Sequence, residues 1–425
     1  MMNSNFMIIV LSSLIPWFAL AQNWKLQPSG TNQPLRDIYF ATPLHGWAIG
    51  DSGTILHTTD GGLEWALQSI ALSDHLYAVF FVDSVTGWIA GANGTLLHTN
   101  DGGNIWQQQQ ESNTTFHFRD VFFIDQSIGW VVGGNIFQGI IIGTIDGGQS
   151  WSKLSDSTRG SYLGVYFLDD QEGWVVGGQN LFDNFVNEVI LHTTNGGIDW
   201  EEQFSPTIGP LHKIFFLDRN RGWAVGHSPL AEGALRTNNG GFTWSPVRLQ
   251  IGPIVTSELL KGLAVVDSQK IWISDIDTIY HSDDGGQTWV KQERKSSKSL
   301  STLFFLNSTY GWAAGFDGAI WKYQEKTVSV ESRDSDNDHY NLVHSSFPNP
   351  ATENTQIRYS FSKDSDVVVR VYDILGRMVA ILVNEHQRAG MYTVSFDSKK
   401  LLSGVYYYQI SIDHRTVVRK ILLVQ

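Results

Sequence analysis

Hydrophobic and polar positions repeat as one template from residue 35 onward. Leu35 to Trp65 reads LRDIYFATPLHGWAIGDSGTILHTTDGGLEW, and Leu76 to Trp106 reads LYAVFFVDSVTGWIAGANGTLLHTNDGGNIW. Each copy holds an apolar run, a Gly-Trp pair among small apolar residues, a short glycine-bounded turn and a second run. Asp-Gly-Gly-x-x-Trp closes it. Short runs divided by turn residues predict four strands and three tight turns, one antiparallel sheet per copy. The closing Trp recurs at Trp24, Trp65, Trp106, Trp151, Trp200, Trp244 and Trp289. A second series stands at Trp47, Trp88, Trp130, Trp174, Trp223, Trp272 and Trp312, preceded by Gly except at Ile271. Four strands in a unit of about 40–50 residues is the signature of a propeller blade. Two series of seven predict an all-β chain with a seven-bladed β-propeller over residues 22–323. The last Gly-Trp unit lacks a closing Trp, and Trp24 lacks a unit before it. The N-terminal strand is therefore expected to complete the last blade, which leaves no open sheet edge.

The pattern changes at both ends. Residues 1–21 carry an apolar core from Phe6 to Leu20 and an Ala-Leu-Ala site, and read as a signal peptide. Residues 324–345 lose aromatic and glycine content and gain charge, and read as a polar linker. From 346 to 425, alternating runs such as DVVVRVYD and GVYYYQISID predict six to seven strands, a small β-sandwich domain.

Composition sharpens this picture. The chain has no Cys, so an exported form must rely on its core alone. Residues 22–345 hold 19 Lys and Arg against 35 Asp and Glu, which disfavours nucleic acid as a partner. Residues 346–425 hold 10 against 7.

Candidate chemistry is sparse. Gly50-Asp51-Ser52-Gly53 spells a protease nucleophile string, but Gly91-Ala92-Asn93-Gly94 and Gly315-Phe316-Asp317-Gly318 occupy the same place, which marks a turn. Asp60, Asp101, Asp146, Asn195, Asn239 and Asp284 recur at one position in six of the units and are expected to hold turns rather than to pair for hydrolysis. No catalytic, cofactor or metal residue is assigned. Three residues before each box stand His57, His98, Gly143, His192, Arg236 and His281, with Lys322 in the seventh unit. One His per blade forms no zinc cluster, so a surface or hydrogen-bonded strand position is expected. Asp334, Asp336 and Asp338 alternate in the linker without the glycine or distal Glu of an EF-hand loop. Units three to five insert longer loops carrying Phe137, Phe182 and Phe185, the candidates for a contact face.

Two resemblances follow from these motifs. SDDGGQTW at 282–289 and TNNGGFTW at 237–244 resemble the Asp-box, or bacterial neuraminidase, repeat. With GWAVG-type strands, residues 22–323 look most similar to the photosystem II assembly and stability factor propellers. Residues 346–425 resemble the type A C-terminal sorting domain of the type IX secretion system. The matching positions include Pro348, Asn349, Pro350, Asp373, Gly376, Arg377, Gly390, Gly404 and Lys420. That resemblance implies the type IX machinery as a partner and secretion to the cell surface or beyond. The expected product is a monomeric, non-catalytic binding or scaffold propeller for an extracellular protein or glycan. The alternatives are a glycan-active hydrolase of Asp-box type and an assembly chaperone for a surface complex.

Overall fold

The computed structural model describes residues 23–423 apart from 69, 71, 110–115, 158–159, 181–185, 205–208, 228–232, 248, 252–253, 256–258, 293, 295, 297, 325–341, 348–350, 352–353, 362, 374–376, 400, 402 and 413–414. The chain divides into two compact units, residues 1–328 and 329–425. The signal-peptide residues, most of the linker, Pro348, Asn349, Pro350 and Gly376 lie outside the described residues, as do Phe182 and Phe185.

Unit one contains seven four-stranded antiparallel sheets among the described residues. Blade one runs Leu35–Phe40, Gly46–Gly50, Ile55–Thr58 and Ala66–Gln68. The innermost strands of the next five blades begin at Leu76, His117, Tyr162, Leu211 and Leu260. Blade seven joins Leu300–Phe305, Tyr310–Gly315 and Ile320–Gln324 to Asn23–Gln27. Each innermost strand touches the next, and Leu300–Phe305 touches Leu35–Phe40, so the sheets form a closed ring.

Tryptophan stacking holds the blades together. The second-strand Trp lies flat on a Phe of the following blade: Trp47 on Phe81, Trp88 on Phe123, Trp130 on Phe167 and Trp174 on Phe216, all at 3.5 Å between ring centroids. Trp312 on Phe40 repeats this across the ring closure, also at 3.5 Å. The indole N–H of Trp47, Trp88, Trp130 and Trp312 donates to a glycine carbonyl in the next blade's box turn. Closing Trp residues meet the same Phe edge-on, as Trp106 does Phe81 at 5.9 Å. Trp106 also donates to Gln68 of the preceding blade at 3.0 Å.

The stacking explains the Gly-Trp pairs. A Cβ on Gly46, Gly87, Gly129, Gly173, Gly222 or Gly311 would drive into the ring of its blade's Phe. Blade six has Val265 in place of that Phe, and there Ile271 replaces the glycine, with both side chains buried. The two exceptions are a single compensated change in volume.

Unit two is a seven-stranded sandwich among its described residues. One sheet orders Leu342–Phe347, Asn354–Phe361 and Gly390–Asp397. The other orders Met378–Gln387, Ser365–Asp373, Gly404–Ile412 and Arg415–Leu423. Alternating residues such as Val367, Val369 and Val371 meet Ile357, Tyr359 and Phe361 in the core between them. The first strand begins at Leu342, ahead of Ser346, where the sequence shows no sharp rise in hydrophobicity.

Candidate functional site

The recurrent box residues hold turns. In blade one the Thr58 hydroxyl donates to Asp60 Oδ1 at 2.8 Å and accepts from the Gly62 amide at 2.9 Å. Asp60 then accepts from the Glu64 amide at 3.0 Å. Gly61 and Gly62 have φ of 75° and 89°, open to glycine without strain. Asp101, Asp146 and Asp284 repeat the arrangement, and Asn195 and Asn239 supply an amide oxygen in the same place. Asp146 is lowered to about 2, first by the Ser150 hydroxyl and then by the Ser150 amide donating to it. A carboxylate committed this way is a poor proton donor at neutral pH. Ser52 stands at φ 55°, matched by Asn93 at 54° and Asp317 at 56°, the centre of a tight turn.

The polar series of the third strand packs against the tryptophan of its own blade. His57, His98, His192 and His281 stack on the Trp of their own blade at 4.2–5.0 Å. Arg236 lies over Trp223 and Lys322 over Trp312, each at 5.8 Å. Gly143 is the exception because Leu154 leans over it. Burial lowers His57, His98 and His281 below the ordinary value, so these rings are neutral at pH 7.

The inner strands place charge at the channel. All seven are bulged at the same point, as the register shifts between Leu35 and Asp37 or between Phe118 and Asp120 show. A bulge leaves one residue unpaired and re-aims its side chain. Those residues are Arg36, Tyr77, Arg119, Leu163, His212, Lys261 and Ser301. They sit where each inner strand begins, on the face that carries the loops between second and third strands.

Below them, carboxylates tie blades together. Asp37 accepts from the Val79 amide of blade two and the Thr302 hydroxyl of blade seven, both at 3.1 Å. Asp120 of blade three accepts from the Val165 amide of blade four at 3.0 Å and Lys213 of blade five at 3.1 Å. Burial raises Asp37 above the ordinary value against the pull of Lys213. Burial opposes the charge on Lys213, and Asp120 and Asp37 together outweigh it, leaving its pKa raised. Toward the box face, Tyr39, Phe80, Phe122, Tyr166 and Phe215 touch in sequence at 4.8–5.2 Å, and Phe304 joins Tyr39 at 4.8 Å.

The cations at the mouth differ in their partners. Arg36 makes a bidentate pair with Asp51 at 2.8 and 2.9 Å. Arg119 lies 4.3 Å over the Tyr77 ring, and its Nε is buried with no hydrogen-bond partner among the described residues. Lys261 Nζ stands 5.8 Å from the Phe316 ring. Burial lowers both Arg119 and Lys261, and Arg36 adds repulsion to each. His212 is lowered to about 4 by burial and then by Lys261, His227, Lys213 and Arg119. Arg36, Arg119 and Lys261, from three blades, thus share one mouth with a neutral His212. The sequence pattern assigned none of these residues to a site. The repeated Arg-Asp pair at 36–37 and 119–120 was the available signal.

Phe137 is 68% exposed in the loop after Gly129–Gly134, where Asn135 Oδ1 caps the Phe137 and Gln138 amides at 2.8 and 2.9 Å. In unit two, Arg377 donates through Nε and its amide to Asp373 at 2.6 and 2.9 Å, closing the turn into Met378–Gln387. Gly390 and Gly404 open strands, and Lys420 pairs with Tyr407.

Two families match the chain. The one described as Photosynthesis system II assembly factor YCF48 matches residues 18–114 and 107–208. The one described as Secretion system C-terminal sorting domain matches residues 345–424. Among solved structures, "YCF48 bound to D1 peptide" is 23% identical with a TM-score of 0.58, over 72% of this chain and 98% of that one. YCF48 from Cyanidioschyzon merolae is 22% identical with a TM-score of 0.56, over 72% and 100%. The WD40 propeller domain of Doa1 is 9% identical with a TM-score of 0.55, over 72% and 98%. These likenesses show the propeller fold. No curated protein matches the chain.

Proposed function

From a chain that carries a propeller of the photosystem II assembly factor type and a type IX secretion sorting domain, we propose an exported, non-catalytic binding module that grips an acidic protein segment at its channel mouth. The sorting domain supports secretion to the cell surface or outside and a contact with the type IX machinery. The observation that carries the ligand reading is the pair Arg119 and Lys261. Both are partly buried cations whose charge is disfavoured by their surroundings, and neither has a carboxylate partner among the described residues. An anionic group placed beside either relieves that cost, and partial burial strengthens the attraction relative to water. Tyr77 supplies a flat surface beside Arg119, and Phe137 stands on a loop of the same face. A structural neighbour is described as bound to a D1 peptide. Its likeness supports a peptide as the ligand, and the chemistry here favours one rich in carboxylates. Hydrolysis is disfavoured because the four box carboxylates are spent on turns in four separate blades.

The test is fluorescence anisotropy with labelled acidic peptides ending in a free carboxylate, their amidated forms and lysine-rich controls. Acidic peptides are expected to bind, increasingly weakly as salt rises. Arg119→Gln and Lys261→Gln should each weaken binding by about tenfold, roughly 1.4 kcal/mol. Equal binding of the basic controls, or unchanged affinity in both variants, overturns the reading.

A further inference from the structure

The seam between blades five and six combines three departures from the commonest seam, although Trp174 and Trp272 also lack an indole partner among the described residues and Leu154 stands in blade three where Val247 stands here. Trp223 finds Val265 where other blades present a Phe. Its indole N–H is buried with no partner among the described residues, and the Gly286 carbonyl that it would reach accepts from Trp289 at 3.2 Å instead. Val247 stands where Gln68, Gln109 and Gln203 receive the next blade's closing Trp. Beside this seam lies a cleft of about 790 Å³, lined by Arg236, Asn238, Ser245, Val247, Gln287 and Trp289. It lies on the box face, opposite the channel mouth.

We infer that this cleft is a binding site for a saccharide containing a hexuronic acid. Arg236 is the cation of its lining, and its guanidinium makes no ion pair among the described residues. A guanidinium with free N–H groups in a recess matches a carboxylate in two-point geometry. The amides of Asn238 and Gln287 and the hydroxyl of Ser245 line the same recess and suit sugar hydroxyls. Pro246, Val247 and the Trp289 ring give the apolar wall that the C–H face of a pyranose needs. The surrounding propeller is acidic, so a free anion gains nothing at long range and the site must rely on these local contacts. The volume falls within the range of small-ligand pockets and accommodates a disaccharide.

The mature chain is titrated with digalacturonate, with the neutral digalactose and with inorganic sulfate, by calorimetry and tryptophan fluorescence. Digalacturonate should bind, and digalactose and sulfate should each bind at least about tenfold more weakly. Arg236→Gln should cost about tenfold in affinity. Val247→Gln restores the amide found at most other seams, so it should weaken binding while leaving the melting temperature unchanged or raised. It serves as the second variant if Arg236→Gln does not fold. Sulfate or digalactose binding as tightly as digalacturonate, no saturation by digalacturonate, or unchanged affinity in the folded variants overturns the inference. The peptide reading of the channel mouth is unaffected by any of these results.

Discussion

Replacing Trp24 with Ala tests how the ring is closed. Asn23–Gln27 pairs along its length with Ile320–Gln324, so the last sheet takes its outermost strand from the opposite end of its unit. Trp24 is 4% exposed and meets Phe305 edge-on at 5.8 Å and Tyr323 at 5.3 Å. It belongs to a core cluster with Trp272, Leu303 and Trp321. Truncating a ring of roughly 200 Å² at about 25 cal/mol per Å² costs about 5 kcal/mol. Measured Trp→Ala changes in cores run at about 3–5 kcal/mol. A unit of this size shifts by about 2 °C per kcal/mol, so the melting temperature should fall by about 6–10 °C. Leu26→Ala on the same strand is the control, because Leu26 is 43% exposed. It should cost about 1 kcal/mol or less. Calorimetry on the mature chain reads both, and limited proteolysis should cut first near the freed N-terminal strand. If Trp24→Ala melts within about 1 °C of the parent, or falls no further than Leu26→Ala, the N-terminal strand does not carry the closure.

Three further outcomes are expected. His212 has a folded-state value of about 4, below its unfolded value of about 6.5, so the unfolded chain binds more protons between them. Stability should therefore be fully present above pH 6.5 and lost toward pH 4, by up to about 3 kcal/mol from this group. Thermal melts across that range should show a shallower slope in His212→Asn. Asp284→Ala removes acceptors for Ser282, Gln287 and Thr288 and should cost about 1–2 kcal/mol, a value borrowed from side-chain caps, with peptide affinity intact in the folded fraction. Deleting residues 329–425 should leave a propeller with an unchanged melting transition that is retained in the periplasm, read by fractionation. Normal amounts at the cell surface would count against the tail as the address.

What the sequence determined by itself is whatever repeats locally. Strand, turn and strand recur within each unit, so the all-β propeller was legible from the two Trp series, and the box residues could be assigned to turns from Thr58, Asp60 and Gly61 alone. The sorting domain was legible because its motif residues lie in one short alternating stretch. The channel mouth was not. Arg36, Arg119, His212 and Lys261 come one from each of four blades, and along the chain they lie at least 40 residues apart. Closure of the ring and a bulge shared by all seven inner strands bring them together. The surroundings of the stacked histidines, expected at surface or hydrogen-bonded positions, were not legible because strand alternation marks which side of the sheet a residue takes and not what covers that side. The Trp of the neighbouring strand does, and at Gly143 Leu154 takes over. The exception at Ile271 was visible from the start, but its meaning depended on Val265 and Trp223. Those residues face each other across two blades, and packing is a property of facing surfaces rather than of neighbours in sequence.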